Sequence, residues 1–128
     1  MSLENLGKLS AKYFNGGFPN IKFINGDVTD RAQLKSLPRV DLIIHLASVV
    51  GYISCSETPK LALETNINGT QNIAKLNTPT IFLSTGSVYG EIGDICDETV
   101  DLNPQTLYAI TKMEGEEIIR DIKHTILR

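Results

Sequence analysis

Apolar and polar positions alternate along this chain in two rhythms, one helical and one strand-like. Leu3, Leu6, Leu9, Tyr13 and Phe14 recur at helical spacing and predict an opening helix, which the glycines and proline of "NGGFPN" end. "IKFING" (21–26) reads as a short strand. "DVTDRAQLKSL" turns from its end into a helix, with Thr29 or Asp30 as N-cap and Pro38 closing it. "VDLIIHLAS" (40–48) is an almost unbroken apolar run, the pattern of a strand buried on both faces of a parallel sheet. "KLALETNINGTQNIAKL" (60–76) predicts a helix through Leu61, Leu63, Ile67, Ile73 and Leu76, interrupted by Gly69. "TIFLSTG" (80–86) is a further buried strand. A polar loop rich in Asp, Glu and Pro leads to the helix "TLYAITKMEGEEIIRDIK" (106–123), with Ile110, Met113, Ile118 and Ile119 as its apolar positions. "HTILR" (124–128) opens another strand.

Alternation of strand and helix predicts an α/β fold, a parallel sheet with right-handed crossovers. Ligands of such sheets bind beyond the C-terminal ends of the strands. Asp27, Ser48, Ser84 and Thr85 end the apolar runs and are expected together on that edge.

Composition narrows the function classes. The 128 residues make one domain, 41% apolar and 21% charged, which suits a globular chain. A formal charge of −3 argues against a general nucleic-acid binder. No apolar run reaches the ~20 residues of a membrane span, and the N-terminus lacks the features of a secretory signal. Cys55 and Cys96 match no metal or redox spacing and read as small hydrophobes of a reducing, cytoplasmic protein. His45 and His124 have no second ligand nearby, so no metal site is expected.

The chemistry concentrates in "STGSVYG" (84–90) and "YAITK" (108–112). Tyr108 and Lys112, four apart, share a helix face. Such a pair alone is a weak signal, and a solvated helix face accounts for it equally well. Its functional reading is physical. A tyrosine of reference pKa near ~10 is a poor base at neutral pH, and a neighbouring cation favours its phenolate. A strand-end hydroxyl, Thr85, completes a relay suited to removing a proton from an alcohol while hydride leaves for a nicotinamide.

"GDVTD", "HLAS", "NINGTQN", "STGSVYG" and "YAITK", in this order and at these separations, resemble the extended short-chain dehydrogenase/reductase family, and within it the NAD-dependent sugar-nucleotide epimerases and dehydratases. The resemblance runs from about residue 3 to residue 128. It implies a catalytic set of Thr85, Tyr108 and Lys112, with Lys112 also holding the nicotinamide ribose. It further implies adenine contacts from Asp27 and Val28, and a strand-end segment of Leu46, Ala47 and Ser48 along the cofactor. Asn66 is implied near the cofactor, in the signature it shares with Gly69 and Thr70, and Ser84 beside the nicotinamide. Tyr89 and Gly90 read as a structural turn.

Departures from the family pattern refine these expectations. Where dehydratases carry Asp then Glu after the threonine, this chain has Gly86 and Ser87, which cannot act as acid or base. That leaves an epimerase-like reaction, or a simple sugar-nucleotide reductase. Val50 stands where some epimerases carry a lysine. The glycine loop GxxGxxG that receives a cofactor pyrophosphate is absent.

The expectation is therefore a single incomplete NAD(P)-binding Rossmann-like domain over residues 1–128. It lacks the first two strands of the family fold and a substrate domain. NAD is favoured over NADP by resemblance only, with binding weakened or lost in a fragment, and a nucleotide sugar is the expected substrate of the longer enzyme. The competing reading is a non-catalytic, self-associating fold fragment. Under either reading the missing strands leave edges unpaired, so "IKFIN" is expected to pair with "DLIIHLA" or with a second copy.

Overall fold

The computed structural model describes residues 20–91, 93 and 96–128; the expected opening helix lies outside them. Helix α1 (Arg31–Ser36) begins where the Asp30 carboxylate accepts from Gln33 N at 3.0 Å, which selects Asp30 over Thr29 as the cap. Strand β1 (Ile43–His45) follows, then α2 (Tyr52–Glu57) and α3 (Pro59–Leu63). Pro59 at the first turn of α3 gives up no needed hydrogen bond. The helical path continues through a π-helical segment (Glu64–Gly69) into α4 (Thr70–Ala74). Strand β2 (Thr80–Leu83), a 3₁₀ turn (Gly86–Tyr89), α5 (Leu107–Ile119) and β3 (His124–Leu127) complete the order.

The three strands are parallel and ordered β1-β2-β3, with Ile43 opposite Thr80 and Thr80 opposite His124. Both crossovers step the same way across the sheet, so right-handedness places their helices on one face. On that face His45 and Phe82 are buried, their rings 5.6 Å apart. Helix α5 approaches β2 so closely that a methyl on Gly115 would lie 2.6 Å from the Phe82 ring. The opposite face is open: Ile44 (61% exposed) shares a row with Ile81 and Thr125, and Leu83 and Leu127 form the next.

Several expectations change here. "IKFING" forms no strand. Residues 21–26 have no regular structure, Ile21, Phe23 and Ile24 are exposed, and this segment pairs with neither β1 nor any other described strand. A lone extended segment has no ladder to stabilise it. The "VDLIIHLAS" run contributes only three residues of strand and is buried on one face, not two. Helix 60–76 is a jointed path rather than one α-helix, and α2 precedes it unannounced. The buried face of α5 is Ala109, Thr111, Lys112, Gly115, Glu116 and Ile119, while Ile110 is exposed. Small and polar residues face inward there because the helix packs close to both the sheet and the π-helical segment.

Candidate functional site

The C-terminal edge of the sheet is built from the segments that follow β1 and β2 and from α5. After β1, Leu46 and Ala47 are exposed and Ser48 is half-buried. Asn66, in the π-helical segment and 2% exposed, holds this loop. Its Oδ1 accepts from Val49 N at 2.7 Å and from Ser48 Oγ at 3.0 Å. Its Nδ2 donates to Val49 O at 3.0 Å and to Thr111 Oγ1 at 2.9 Å. Thr111 in turn donates to the Tyr108 carbonyl at 2.8 Å. One amide thus ties the end of β1 to the helix turn bearing Tyr108.

After β2, Ser84 is buried and donates to Glu116 Oε1. Thr85 caps the 3₁₀ turn, its Oγ1 accepting from Ser87 N at 3.2 Å and donating to Ser87 Oγ at 3.2 Å. Thr106 starts α5 by accepting from Ala109 N at 3.1 Å. Tyr108 is half-buried, and Lys112, one turn on, is 4% exposed with Nζ 4.2 Å above the Phe82 ring. Burial pushes the Lys112 ammonium down to about 8, and the Glu116 carboxylate works against that fall.

His45 faces the same interior. Its Nε2 lies 2.9 Å from Thr70 Oγ1, which itself donates to Asn66 O at 2.6 Å. The Thr70 proton being committed, the neutral ring donates from Nε2. Burial first, and Lys112 second, lower its pKa to about 4. Between pH 6.5 and 4 the unfolded chain therefore binds a proton that the folded chain refuses, so stability falls as pH drops through that window. Urea midpoints should decline across it in the native sequence and decline less in His45→Gln. A His45 ring titration midpoint above 6 would contradict this.

Asp27 and Val28 lie away from this cluster, before α1. The Asp27 Oδ1 accepts from Thr29 N and Thr29 Oγ1, both at 2.8 Å, so its carboxylate shapes its own turn. Val28 packs on the π-helical segment, where a methyl on Gly69 would lie 2.7 Å from Val28 Cγ2. Asn72 Nδ2 secures the turn by donating to Val28 O and Thr29 O at 3.1 Å each.

Thr85, Ser84, Ser48, Asn66, Tyr108 and Lys112 thus belong to one connected edge, with Asp27 and Val28 joined to it through the π-helical segment. Sequence reasoning missed Thr111, His45, Glu116 and Arg128. The missed signal was Glu116 itself, a carboxylate four residues after Lys112 on the same helix face. Among the described residues no group of three or more His, Cys, Asp or Glu could hold a metal ion. Among them, too, no helix is long and apolar enough to cross a membrane.

Residues 3–126 match the sequence model of the NAD dependent epimerase/dehydratase family. The chain is 30% identical over 115 residues to UDP-glucose 4-epimerase 2 of Oryza sativa subsp. japonica, covering 83% of this chain and 28% of that protein. It is 33% identical over 113 residues to UDP-glucose 4-epimerase of Pisum sativum, covering 81% and 32%. Among solved structures, the UDP-Glc/GlcNAc 4-epimerase of Campylobacter jejuni superposes with a TM-score of 0.80 at 29% identity, over 99% of this chain and 42% of that one. The chain therefore spans about a third of the length of these curated relatives, and its fold is a partial Rossmann-like parallel sheet with flanking helices.

Proposed function

The chain belongs to the NAD dependent epimerase/dehydratase family, and from that premise we propose that it carries the proton-transfer core of an NAD-using sugar-nucleotide epimerase. The observation that supports this reading is the grouping of Tyr108, Lys112 and Thr85, two on successive turns of α5 and one directly after β2. These groups suit the nicotinamide–ribose half of such a cofactor: a phenol partly open to solvent, a buried ammonium on the same helix face, and a strand-end hydroxyl. The pyrophosphate half has no glycine loop in this sequence.

In this function Tyr108 removes the proton of a sugar hydroxyl, and Thr85 orients that hydroxyl. Lys112 places positive charge beside the phenol and holds the ribose. NAD, when bound, supplies the hydride acceptor and later the donor. Once the ketone form of the sugar had turned its other face, Tyr108 would return the proton to its oxygen. Gly86 and Ser87 offer no acid or base for eliminating water, which favours epimerisation over dehydration. The substrate this reading implies is a nucleotide sugar.

Titration of the purified chain with NADH, followed by nicotinamide fluorescence, is expected to saturate. Tyr108→Phe and Lys112→Ala should each weaken binding by about tenfold, the worth of one hydrogen bond to a charged or reacting group. Turnover is not expected from this chain alone. A second reading, a self-associating fragment without catalysis, draws on the open apolar face of Ile44, Leu83 and Leu127. Absence of saturation at millimolar NADH, together with a mass that grows with concentration in sedimentation, would decide for it.

A further inference from the structure

The turn that carries Thr85 is open in its middle and anchored at its ends. Gly86 and Ser87 are exposed, and a methyl group on Gly86 would meet no atom within 4 Å. Among the described residues the Thr85 hydroxyl bonds only to Ser87, and both of those hydrogen bonds are long, at 3.2 Å. Its own contacts therefore hold it weakly. Both flanks are buried, Ser84 before it and Val88 and Tyr89 after it.

The two flanks lead to one pair of side chains. Ser84, directly after β2, donates from Oγ to Glu116 Oε1. Arg128, directly after β3, donates to the same carboxylate from Nε to Oε1 at 3.0 Å and from Nη2 to Oε2 at 2.6 Å. Its remaining nitrogen, Nη1, donates to Tyr89 Oη at 3.0 Å, and the guanidinium lies 5.3 Å from that ring. One planar fork thus runs from the entry of the turn, through Glu116 and Ser84, to its exit at Tyr89. Glu116 is fully buried, so the fork is anchored in the core. Main-chain bonds from Ser84 N to Leu127 O at 2.6 Å and from Asn103 N to Val88 O at 2.9 Å guide the backbone nearby, each at one end alone. Arg128 joins the two ends.

We propose that Arg128 is a positioning residue for Thr85: its guanidinium, held between Glu116 and Tyr89, sets the entry and exit of the turn and so the direction of the Thr85 hydroxyl. Thr85 gains a fixed aim without a strong partner of its own, which leaves the hydroxyl available to a substrate alcohol. The role rests on reading Thr85 as the group that orients that alcohol, but its test does not depend on cofactor binding.

The experiment reads the Thr85 side chain directly. Three-bond NMR couplings to its methyl carbon report the χ1 rotamer in the whole chain, and in the native sequence one rotamer is expected. Tyr89→Phe removes the phenolic oxygen and leaves the ring. Arg128→Lys keeps a cation beside Glu116 but offers one nitrogen in place of three. In both variants the couplings are expected to average over rotamers. The amides that close the turn, Val88 to Thr85 O and Gly90 to Ser87 O, should also exchange about tenfold faster relative to those of β2. A pair that merely braces the fold behaves differently: exchange quickens evenly with lost stability, and the Thr85 couplings of the folded protein stay as they were. That result in either variant, or a Thr85 already averaged in the native chain, overturns the proposal. If the couplings average while NADH fails to bind, the clamp stands and only the cofactor reading falls.

Discussion

Arg128→Met is expected to remove about 3 kcal/mol of stability, the cost of leaving the buried Glu116 carboxylate without its partner. Arg128, itself partly exposed, donates from Nε and Nη2 to both oxygens of that carboxylate. Glu116 is 0% exposed, and without the guanidinium only the Ser84 hydroxyl still donates to it. Methionine fills much of the space of the arginine stem, so lost packing contributes little, and the effect reports uncompensated charge. Urea denaturation of the two chains measures the difference. The double variant with Glu116→Gln should recover most of the loss, because neither charge then remains. A deficit under about 1 kcal/mol for Arg128→Met alone would place this pair with ordinary surface bridges, contrary to the burial of Glu116.

Asn66→Leu is the other change with a large expected effect, about 2–5 kcal/mol, from buried polar groups that lose their partners. Leucine is close to asparagine in length and more apolar, but it can neither accept from Val49 N and Ser48 Oγ nor donate to Val49 O and Thr111 Oγ1. The loop after β1 then has nothing to hold it to the helix turn of Tyr108. Amide exchange at Val49 should accelerate beyond what the global loss of stability explains. Unchanged exchange there would show that the loop is held by packing instead.

Legibility in the sequence followed the kind of physics involved. The parallel order was readable because alternating strand and helix leave few topologies, and the right-handed rule removes most of those. Caps such as Asp30 and the strand at "TIFL" were readable because they depend on neighbours in sequence. "IKFING" was misread because its apolar content satisfies a local pattern, whereas a strand needs a partner elsewhere. The buried face of α5 was misread for a related reason. Its hydrophobic periodicity points to Ile110 and Met113, while close approach to Phe82 selects Gly115 and the Arg128 guanidinium draws Glu116 inward. The Tyr108–Lys112 spacing was legible as chemistry. Asn66 was legible as a member of the site, but its four hydrogen bonds, which make it a strut between β1 and α5, depend on groups 17, 18 and 45 residues away.

A sheet covered on one side changes the thermal behaviour of the chain. The heat capacity of unfolding measures apolar surface that becomes wet only when the fold is lost. Ile44, Leu46, Leu83 and Leu127 are already largely wet in the native state, so their melting adds little to it. The stability curve of this chain is correspondingly flatter than that of a domain of equal length with two covered faces, and cooling and warming move it less. Burying that face under any further layer would restore the curvature along with the missing apolar burial.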